Sequence, residues 1–540
     1  MKTNKHTLLI SLSLSLITCN ILSAQTQEQL ERQKSIFESL SKDPTTNIEN
    51  FQTPKVSPPL TPDEDEKCFY TNNIDIDGIT LISKNLVDKT LMNYIDKCNS
   101  ISTLKNLTNE INALYIDKGY ITSQAYLSLQ NIADGNLTLQ TVEGKINSIT
   151  PKELNIEMAS VSHRGNHLNI RDIEVLIENI NRLPSNHATM KLVPSDEVGY
   201  SDIVIENTPT KRVGGSLGVD NFGGKKTGRA QISGKLNIDN LVGINDQINI
   251  LYNTSNKHYG GENSVGSGYE FSFPYGRTTF TFSQKSNLFR QNIKAGADIF
   301  LSQGKTRTYT FDTNYKLYHD QINRVGIGAS LSNYQTDNHF DNVYLETSSY
   351  RLSKLSLNSD YLYQIPGFYT FINLSYTRGV NLFNNHHSTA LDDDYDILNI
   401  SLSATKELYP FRYSLNAYAQ HTNDLLFGSD RMSIGGPYSV RGFQAEGVSG
   451  NSGYYVRNEL SYNRSYDLFN GVNNSLFLAL DGGAIKPDES SFKGKLLGYS
   501  FGTKLQSNNL EASIHYSIPI YKKDISKSEN FFGISLRATF

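Results

Sequence analysis

The sequence has no tryptophan and no strong excess of either charge. Its 540 residues include 50 lysines and arginines and 54 aspartates and glutamates, which gives a formal net charge of −4 at pH 7. A charge so close to balance argues against a protein that mainly binds nucleic acid. The hydrophobic fraction of 38% argues against a disordered chain, and the length predicts more than one domain.

Long apolar runs are missing except at the start of the chain. Residues 1–24 combine an early basic stretch, an apolar core at 8–17 and the small residues Ser23 and Ala24 before Gln25. This pattern predicts a cleaved secretory signal peptide. Because no later run reaches 18 apolar residues, no membrane-spanning helix is predicted in the exported chain.

Cysteine is also scarce. Cys19 lies inside the predicted signal peptide, and Thr18 before it does not fit the acylation site of a lipoprotein. Cys68 and Cys98 remain in the exported chain, where an oxidising compartment favours one disulfide between them. A metal site is the alternative, but no histidine lies near this pair in the sequence.

The aromatic residues that are present are 32 tyrosines and 25 phenylalanines. This content suits β-strands and the aromatic girdles of membrane barrels. The mean hydropathy of −0.42 does not exclude a barrel, because only alternate residues of its strands are apolar.

The first part of the mature chain is predicted to be a helix followed by a linker. Residues 25–43 are polar and helix-prone, with a thin apolar stripe that includes Ile36 and Phe37. Residues 44–67 contain five prolines and an acidic run, which predicts an extended linker. Its length would let the helix reach a distant site.

Two small α/β units are predicted next, at 68–145 and 146–211. The first has two helices, the second of which carries an apolar stripe and ends at Gly119. The second unit has a helix at 171–181, with Pro184 just after its end. Two consecutive units of similar size indicate an internal duplication.

From residue 212 to residue 540 the helical patterns disappear, and strands of about ten residues follow one another. Their connections alternate between short and long, as in an outer-membrane barrel. The pattern gives about 17 candidate strands, but a barrel with both ends on one side needs an even number, so we predict 16. Two soluble β-sandwiches are the alternative.

The end of the chain supports a closed barrel. Phe532, Ile534, Leu536, Ala538 and Phe540 share one face of the last strand. An edge strand this apolar would be prone to aggregate unless it paired with the first barrel strand. The terminal Phe540 is predicted to be a C-terminal assembly signal.

One connection, 423–452, is too long for an ordinary hairpin and is predicted to be functional. Its glycines and Pro437 give a compact tip, in which Arg441 is the only strong charge. A glycine-rich surface loop with a chance arginine fits these residue types about equally well.

The strand after the next turn favours the functional interpretation. Asp481 falls on its wet face, opposite a face of leucines. Gly482 and Gly483 beside it leave space for an approaching side chain. An arginine in a loop that folds into a barrel would find its carboxylate there.

These features together resemble one known family, the TpsB-type transporters of two-partner secretion (the ShlB/FhaC/HecB haemolysin secretion and activation proteins). The resemblance rests on the order of helix, linker, two α/β units and barrel, and on the loop tip Val440-Arg441-Gly442-Phe443. The Cys68/Cys98 pair and the segment 117–120 are similar to the first POTRA domain of the family. Residues 181–184 and 188–192 are similar to the second.

The resemblance implies α+β periplasmic POTRA domains followed by an all-β, 16-stranded antiparallel transmembrane β-barrel in the Gram-negative outer membrane. It implies export of a secreted TpsA-like exoprotein, which the POTRA domains would capture unfolded at a sheet edge. The helix at 25–43 would plug the resting barrel, and Arg441 would pair with Asp481 to hold the loop. Outer-membrane lipid and the barrel assembly machinery are the other implied partners.

An outer-membrane protein assembly factor of the same barrel-plus-POTRA superfamily is the alternative function. Two POTRA units with a helix and a proline-rich linker favour secretion over assembly. A passive porin or adhesin is a third class, but it would not need the two α/β units.

The sequence gives little support for an enzyme. The segment 498–502 matches a hydrolase Gly-x-Ser-x-Gly string, but it lies within a predicted strand and lacks the strand–turn–helix context. His386 and His387, with acidic residues at 392–394, fit a solvated cluster in a polar loop better than a metal site. We expect no cofactor and no metal. No phosphate-binding loop occurs, so export would draw on binding and on folding of the substrate outside.

Overall fold

The structure is a computed structural model. It describes residues 32–38, 60, 67–132, 134–152, 154–256, 262–295, 298–443, 447–466, 472–487, 494–523 and 529–540. The predicted signal peptide at 1–24 lies outside these residues, as do most of the predicted helix at 25–43 and nearly all of the predicted linker at 44–67. Residues 32–38 are helical and form α1. None of the helices in the described part is both long and apolar enough to span a membrane.

The first α/β unit packs one long helix on a small sheet. In chain order it contains β1 (Cys68–Thr71), β2 (Asn73–Asp77), α2 (Lys84–Leu91), β3 (Lys97–Ser100), α3 (Ile101–Asp117), β4 (Gln124–Leu127) and β5 (Asn136–Val142). β5 lies in the middle of the sheet, parallel to β2 and antiparallel to β4. α3 buries Leu104, Leu107, Ile111 and Tyr115, one face at helical spacing. The helix ends before Gly119, whose φ of +90° suits the left-handed position after a helix.

β1 and β3 form a separate antiparallel pair, and this pair carries the disulfide. The structure joins Cys68 to Cys98, with 5.3 Å between their Cα atoms. The disulfide predicted from the sequence is therefore confirmed.

The second unit repeats the arrangement of the first. It contains β6 (Lys145–Pro151), α4 (Ile170–Asn181), β7 (Ala188–Pro194) and β8 (Tyr200–Asn207). β8 is the middle strand, parallel to β6 and antiparallel to β7, which is the topology of the first sheet. α4 begins one residue earlier than predicted, because the Asn169 side chain accepts a hydrogen bond from the backbone N–H of Arg171 at 2.9 Å and caps the first turn. The shared topology is what an internal duplication would produce.

The rest of the chain forms strands. They are β9 (Val213–Asp220), β10 (Gln231–Asp239), β11 (Gln247–Asn256), β12 (Asn263–Tyr275), β13 (Thr278–Ala295), β14 (Asp298–His319), β15 (Asn323–Phe340), β16 (Val343–Tyr344), β17 (Tyr350–Ile365), β18 (Phe368–Val380), β19 (Asp396–Leu408), β20 (Phe411–His421), β21 (Met432–Ile434), β22 (Val448–Gly450), β23 (Gly453–Tyr466), β24 (Val472–Ile485), β25 (Gly494–Gln506), β26 (Leu510–Lys523) and β27 (Phe531–Thr539), with a short 3-10 helix at Glu346–Ser348.

All of these strands except β21 and β22 belong to one closed antiparallel barrel, in which β27 pairs with β9. β16 is a two-residue extension on the end of β15, while β15 itself pairs with β17. The barrel therefore has 16 strands, as predicted, and the sandwich alternative is wrong. Its closure gives the apolar last strand the partner that it needed.

Alternation along the strands separates an outer apolar face from an inner one. In β24, Leu476, Leu478 and Leu480 are 53%, 53% and 47% exposed and point outward. Phe477 and Asp481 alternate with them and point inward. They are only 4% and 1% exposed, because the connection between β20 and β23 covers them there. This alternation explains how a membrane barrel can have a negative mean hydropathy.

The short connections lie next to the second unit. Asn179 of α4 donates to the carbonyl of Gly276 in the turn between β12 and β13 at 2.8 Å. Arg182 donates to the Ser272 hydroxyl at 2.8 Å and to the backbone carbonyl of Asn245. The long connections therefore leave the opposite end of the barrel.

Candidate functional site: the inward loop and helix α1

The connection from β20 to β23 folds back into the barrel and covers the inner face of its wall. We call residues 423–452 the inward loop. Residues 426–443 of this loop are buried except for a half-buried Arg431. β21 and β22 pair within it in an antiparallel ladder. Val440 and Phe443 of the tip are 0% and 1% exposed and pack with inner-face residues of β23, β24 and β25. The loop is thus an internal element of the barrel.

Arg441 projects from the tip to a carboxylate on β24. Its Nε and Nη2 donate to the two carboxylate oxygens of Asp481 at 2.6 and 2.9 Å, and its backbone N–H donates to the same side chain at 3.2 Å. Both side chains are buried. The structure therefore brings together the two residues that sequence reasoning paired. A two-pronged contact of this kind fixes the direction of approach as well as the distance.

Arg441 has a second carboxylate partner that the sequence analysis missed. Nη1 of Arg441 donates to Glu459 of β23 at 2.9 Å, and Glu459 also pairs with Lys504 of β25. Glu459 faces Ala479 of β24 in the strand register, two positions from the pair formed by Arg457 and Asp481 and on the same face. Its place on the wet face of β23 was visible in the alternation. The strand register that brings Glu459 beside Asp481 could not be read from the sequence.

Two glycines make the close approach possible. Gly442 has a φ of +94°, and a Cβ atom there would lie 2.9 Å from the backbone of Ile518. Gly498 of β25 lies under the tip, where a Cβ atom would come within 1.8 Å of the carbonyl oxygen of Arg441. A side chain at either position would displace the tip from the wall.

Gly498 belongs to the string 498–502, which lies inside β25 and not at a strand-to-helix turn. Ser500 of this string donates to the hydroxyl of Ser517 on the neighbouring strand at 2.7 Å. A glycine on the inner face of a strand was the available sequence signal for the docking position.

Helix α1 lies against the inward loop inside the barrel. The Gln33 side-chain amide nitrogen donates to the Ser433 hydroxyl at 2.6 Å, and the Ser439 hydroxyl donates to the side-chain oxygen of Gln33 at 3.1 Å. The ring of Phe37 lies 5.8 Å from that of Tyr438, and the guanidinium of Arg457 lies 4.5 Å from the centre of the Phe37 ring. Ile36 packs on the same buried cluster as the loop tip.

Arg457 connects the two elements to the wall. It lies on the inner face of β23, and its guanidinium donates to the carbonyl of Pro437 at 2.7 Å. The loop and the helix together fill part of the lumen with hydrogen-bonded, ordered structure.

The remaining residues singled out from the sequence lie elsewhere. His386 forms a backbone pair with Arg351, and the ring of His387 packs 5.2 Å from that of Phe427. No group of three or more metal-binding side chains occurs in the part of the chain that the structure describes. The terminal Phe540 exchanges backbone hydrogen bonds with Gly215, at 3.0 and 3.1 Å.

Comparison with known proteins matches the whole architecture. The family of haemolysin secretion/activation proteins ShlB/FhaC/HecB matches residues 199–505. A POTRA domain of the ShlB type matches residues 69–144, and a second POTRA domain family matches residues 138–194.

Relatives of similar length carry related sequences. The outer membrane transporter CdiB of Dickeya dadantii (strain 3937) is 28% identical over 528 residues, which cover 95% of this chain and 94% of that protein. The hemolysin transporter protein ShlB of Serratia marcescens is 28% identical over 414 residues, with 74% and 73% covered. The solved structure of CdiB from Escherichia coli has a TM-score of 0.85 and 26% identity, and the match covers 96% of this chain and 98% of that one.

Proposed function

This chain belongs to the haemolysin secretion/activation protein family ShlB/FhaC/HecB, the outer-membrane transporters of two-partner secretion, and we propose that it exports one large TpsA-like exoprotein to the cell surface. A haemolysin, an adhesin or a contact-dependent toxin is the class of cargo that we propose. The first class is suggested by the name of the Serratia relative, a hemolysin transporter.

The observation that carries this proposal is a lumen filled by separable elements. The inward loop joins the wall through β20 and β23 at its two ends, and its inner part and α1 are held in the barrel by hydrogen bonds, ion pairs and ring contacts. A 16-stranded barrel is wide enough to pass an extended polypeptide once its contents move. A barrel that served only as an anchor would not need its interior closed in this way.

Helix α1 is proposed as the resting plug. It is followed by a segment with five prolines before the first POTRA domain, so it has chain enough to leave the lumen and remain attached. Its contacts to the loop are mostly polar, and polar contacts are replaced by water at little net cost when they separate. The arrival of substrate would displace it.

The POTRA domains are proposed to capture the exoprotein before it folds. β2 and β4 are the outer strands of the first sheet, and β6 and β7 are those of the second. An unfolded segment can add to such an edge through its backbone, which suits a partner recognised in an extended state. Export would proceed without ATP, driven by binding and by folding of the exoprotein outside the cell.

Outer-membrane lipid would contact the apolar outer face of the barrel. The aromatic C-terminal residue, Phe540, would be read by the barrel assembly machinery during biogenesis. No step of this proposal requires a catalytic residue in this chain.

The test compares surface and supernatant proteins of the producing cells with and without this chain. We expect the loss of one large protein, with the other outer-membrane barrels unchanged. A general fall in many barrels would instead identify an assembly factor. No change in either would contradict the proposal.

A second measurement tests the plug separately. Full-length protein and a variant without residues 26–43 are compared in planar lipid bilayers. We expect the deletion to increase the mean open time several-fold, because the polar contacts of α1 no longer close the lumen. Equal channel activity would show that α1 is not the resting plug.

A further inference from the structure

The inward loop has a second buried contact with the barrel, on a different wall from Arg441. Near the start of the loop, the Asp430 carboxylate pairs with Lys354 of β17. The hydroxyl of Tyr395, just before β19, donates to the other carboxylate oxygen of Asp430 at 2.7 Å. The Asp430 and Lys354 side chains are only 7% and 13% exposed. We call Lys354, Tyr395 and Asp430 the second anchor.

An aromatic cluster removes this anchor from water. Phe427 of the loop is 1% exposed, and its ring lies 5.0 Å from that of Tyr350 and 6.2 Å from that of Tyr395. The Tyr350 hydroxyl accepts a hydrogen bond from the backbone N–H of Ser429 at 3.1 Å. A charged pair that is desolvated in this way holds its geometry strongly, and loss of either partner strands the other charge.

The second anchor fixes a turn whose carbonyl groups bind helix α1. The backbone N–H of Asp430 donates to the Phe427 carbonyl at 2.9 Å, which closes the turn. The Arg32 guanidinium donates from Nη1 to the carbonyl groups of Ser429, Asp430 and Arg431, the last at 3.0 Å. Three consecutive carbonyls can point at one guanidinium only while the turn keeps its shape.

Gln420 of β20 completes this seat. Its side-chain oxygen accepts from Nη2 of Arg32 at 2.9 Å, and its amide donates to the carbonyl of Asp430 at 2.8 Å. The wall, the turn and the helix therefore share one buried network. The Gln420 side chain that accepts from Arg32 is neutral. Arg32 binds Asp430 through the backbone carbonyl of that residue, while its carboxylate pairs with Lys354.

We propose that Lys354, Tyr395 and Asp430 form a second anchor that positions the inward loop for helix α1, so that the helix stays in the lumen only while this anchor is intact. The two anchors then have separate tasks. Arg441 holds the tip against β23 and β24, whereas Asp430 holds the turn that Arg32 grips. Loss of the second anchor frees the helix and opens the resting pore, while the tip stays docked and export continues.

This inference rests on the proposed role of α1 as the plug, and its test includes a readout that does not. In intact outer membranes, Gln33→Cys with Ser433→Cys joins the helix to the loop, because the two native side chains are in hydrogen-bond contact at 2.6 Å. The fraction of cross-linked protein reports whether α1 occupies its seat. Planar-bilayer recordings of the full-length protein and the amount of secreted partner are the other two readouts.

The variants are Lys354→Met, Asp430→Asn and the milder Tyr395→Phe, each in the cross-linking background and alone. We expect cross-linking to fall at least about threefold and open time to rise by a similar factor with the first two, since a buried partner is removed. Secretion should stay within about twofold of the wild type, because the Arg441 contacts are untouched. Tyr395→Phe removes one hydrogen bond and should give a smaller change in the same direction.

Lys285→Met is the matched control. Lys285 lies on the inner face of β13, opposite in the alternation to the outward-facing Phe282, so the change removes the same charge from the lumen. Lys354→Arg keeps the charge at the anchor and should restore cross-linking if the other variants lower it. Heat-dependent migration on gels identifies any variant whose barrel fails to fold.

Unchanged cross-linking in folded Lys354→Met and Asp430→Asn would overturn the inference. If these variants also lost as much secretion as Arg441→Ala while cross-linking stayed unchanged, the Lys354–Asp430 pair would hold the inward loop without positioning α1, which also contradicts the inference. If cross-linking falls but open time does not, the second anchor seats the helix and the proposed plug is wrong. Failure of the two proposals is thereby distinguishable.

Discussion

Arg441 offers one side of its guanidinium to Asp481 and another nitrogen to Glu459, so one cation serves two carboxylates. Lys504 shares Glu459 and brings a second positive charge. At this buried position the balance of charge matters more than the number of contacts, because each charge left alone is poorly solvated.

Arg441→Ala leaves Asp481 and Glu459 facing each other without the cation between them. Breaking a buried pair in this way costs about 3–5 kcal/mol, enough to release the loop tip. We expect the secreted partner to fall at least about tenfold while the barrel still inserts. Immunoblots of the supernatant and heat-dependent migration of the barrel measure the two effects.

Arg441→Lys is the control for charge. A lysine keeps the positive charge but cannot present parallel N–H groups to both oxygens of Asp481, so an intermediate loss is expected. Equal surface levels of the partner from Arg441→Ala and the wild type would contradict the assigned role.

Gly498→Ala tests whether the tip must touch the wall. The new methyl group would lie within 1.8 Å of the Arg441 carbonyl, so the tip has to move away. We expect secretion to fall about as far as in Arg441→Ala, since the same docking is lost. In Gly482→Ala, the added Cβ atom finds its nearest neighbour at 3.5 Å, and normal secretion is expected. Normal secretion from Gly498→Ala would show that the close approach is dispensable.

At the level of elements, the sequence predicted those whose pattern is set locally. The alternation of each strand, the stripe of α3 and the turn at Gly119 depend on neighbours in the chain, and all three are present. The face on which Asp481 lies followed from the same period of two. That part of the site was predictable for the same reason as the fold.

The contacts between distant elements could not be derived in this way. The wet-face position of Glu459 says nothing about which inner-face residue stands beside it, because that depends on register with β24. The Asp430 contacts join residues 35 and 76 positions apart. The seat of α1 depends on side chains about 400 residues away, at Ser433 and Ser439. No periodicity carries such information.

Glu143 joins elements of the first POTRA domain to the start of the second. Lying between β5 and β6, it accepts hydrogen bonds from the backbone N–H groups of Thr80 and Leu81, at 2.6 and 2.8 Å, and from the Tyr115 hydroxyl at 3.0 Å. Burial alone would raise the pKa of Glu143, but these hydrogen bonds and that of the Thr80 hydroxyl lower the pKa below its usual 4.5.

A carboxylate with a lowered pKa stabilises the fold above its unfolded pKa, and the stabilisation is lost as the pH falls through the folded pKa. We therefore expect this contribution to be complete at pH 7 and to disappear below about pH 4.5. Glu143→Gln should destabilise the domain by about 1–3 kcal/mol at pH 7 and show a smaller further loss on acidification.

Limited proteolysis of the full chain in detergent, at pH 7 and at pH 4, measures this effect. The control is Glu206→Gln, because Glu206 is a surface residue paired only with exposed Lys152 and Lys191 among the salt bridges of the described residues. Equal protease resistance of Glu143→Gln and Glu206→Gln at pH 7 would contradict the role of Glu143.

For the whole molecule, the central question is how the second POTRA domain is fixed to the barrel. Glu178 of α4 lies near three cationic or titratable side chains at the short-turn end: Lys316 at 3.2 Å, His319 at 3.2 Å and Arg324 at 3.9 Å. Asp172, in the first turn of the same helix, pairs with Arg277 of the β12–β13 turn. The proposed passage of cargo from this domain to the pore requires these two parts to stay aligned.

Glu178→Gln tests this alignment. Burial alone would raise the pKa of Glu178, but the nearby Lys316, His319 and Arg324 lower it, so the group is charged at neutral pH. Without that charge the cations at the turn lose their partner, which weakens the docking of α4 on the barrel by about 3 kcal/mol.

We expect the barrel of Glu178→Gln to insert normally, the POTRA domains to be cut faster by protease added to spheroplasts, and secretion to fall several-fold. Glu206→Gln on the same domain should change neither the rate of protease cleavage nor the amount of secreted partner.

If Glu178→Gln keeps normal protease resistance but loses secretion, Glu178 acts on the cargo and not on the docking of α4. If cleavage is faster but secretion is unchanged, export tolerates a loosely attached domain.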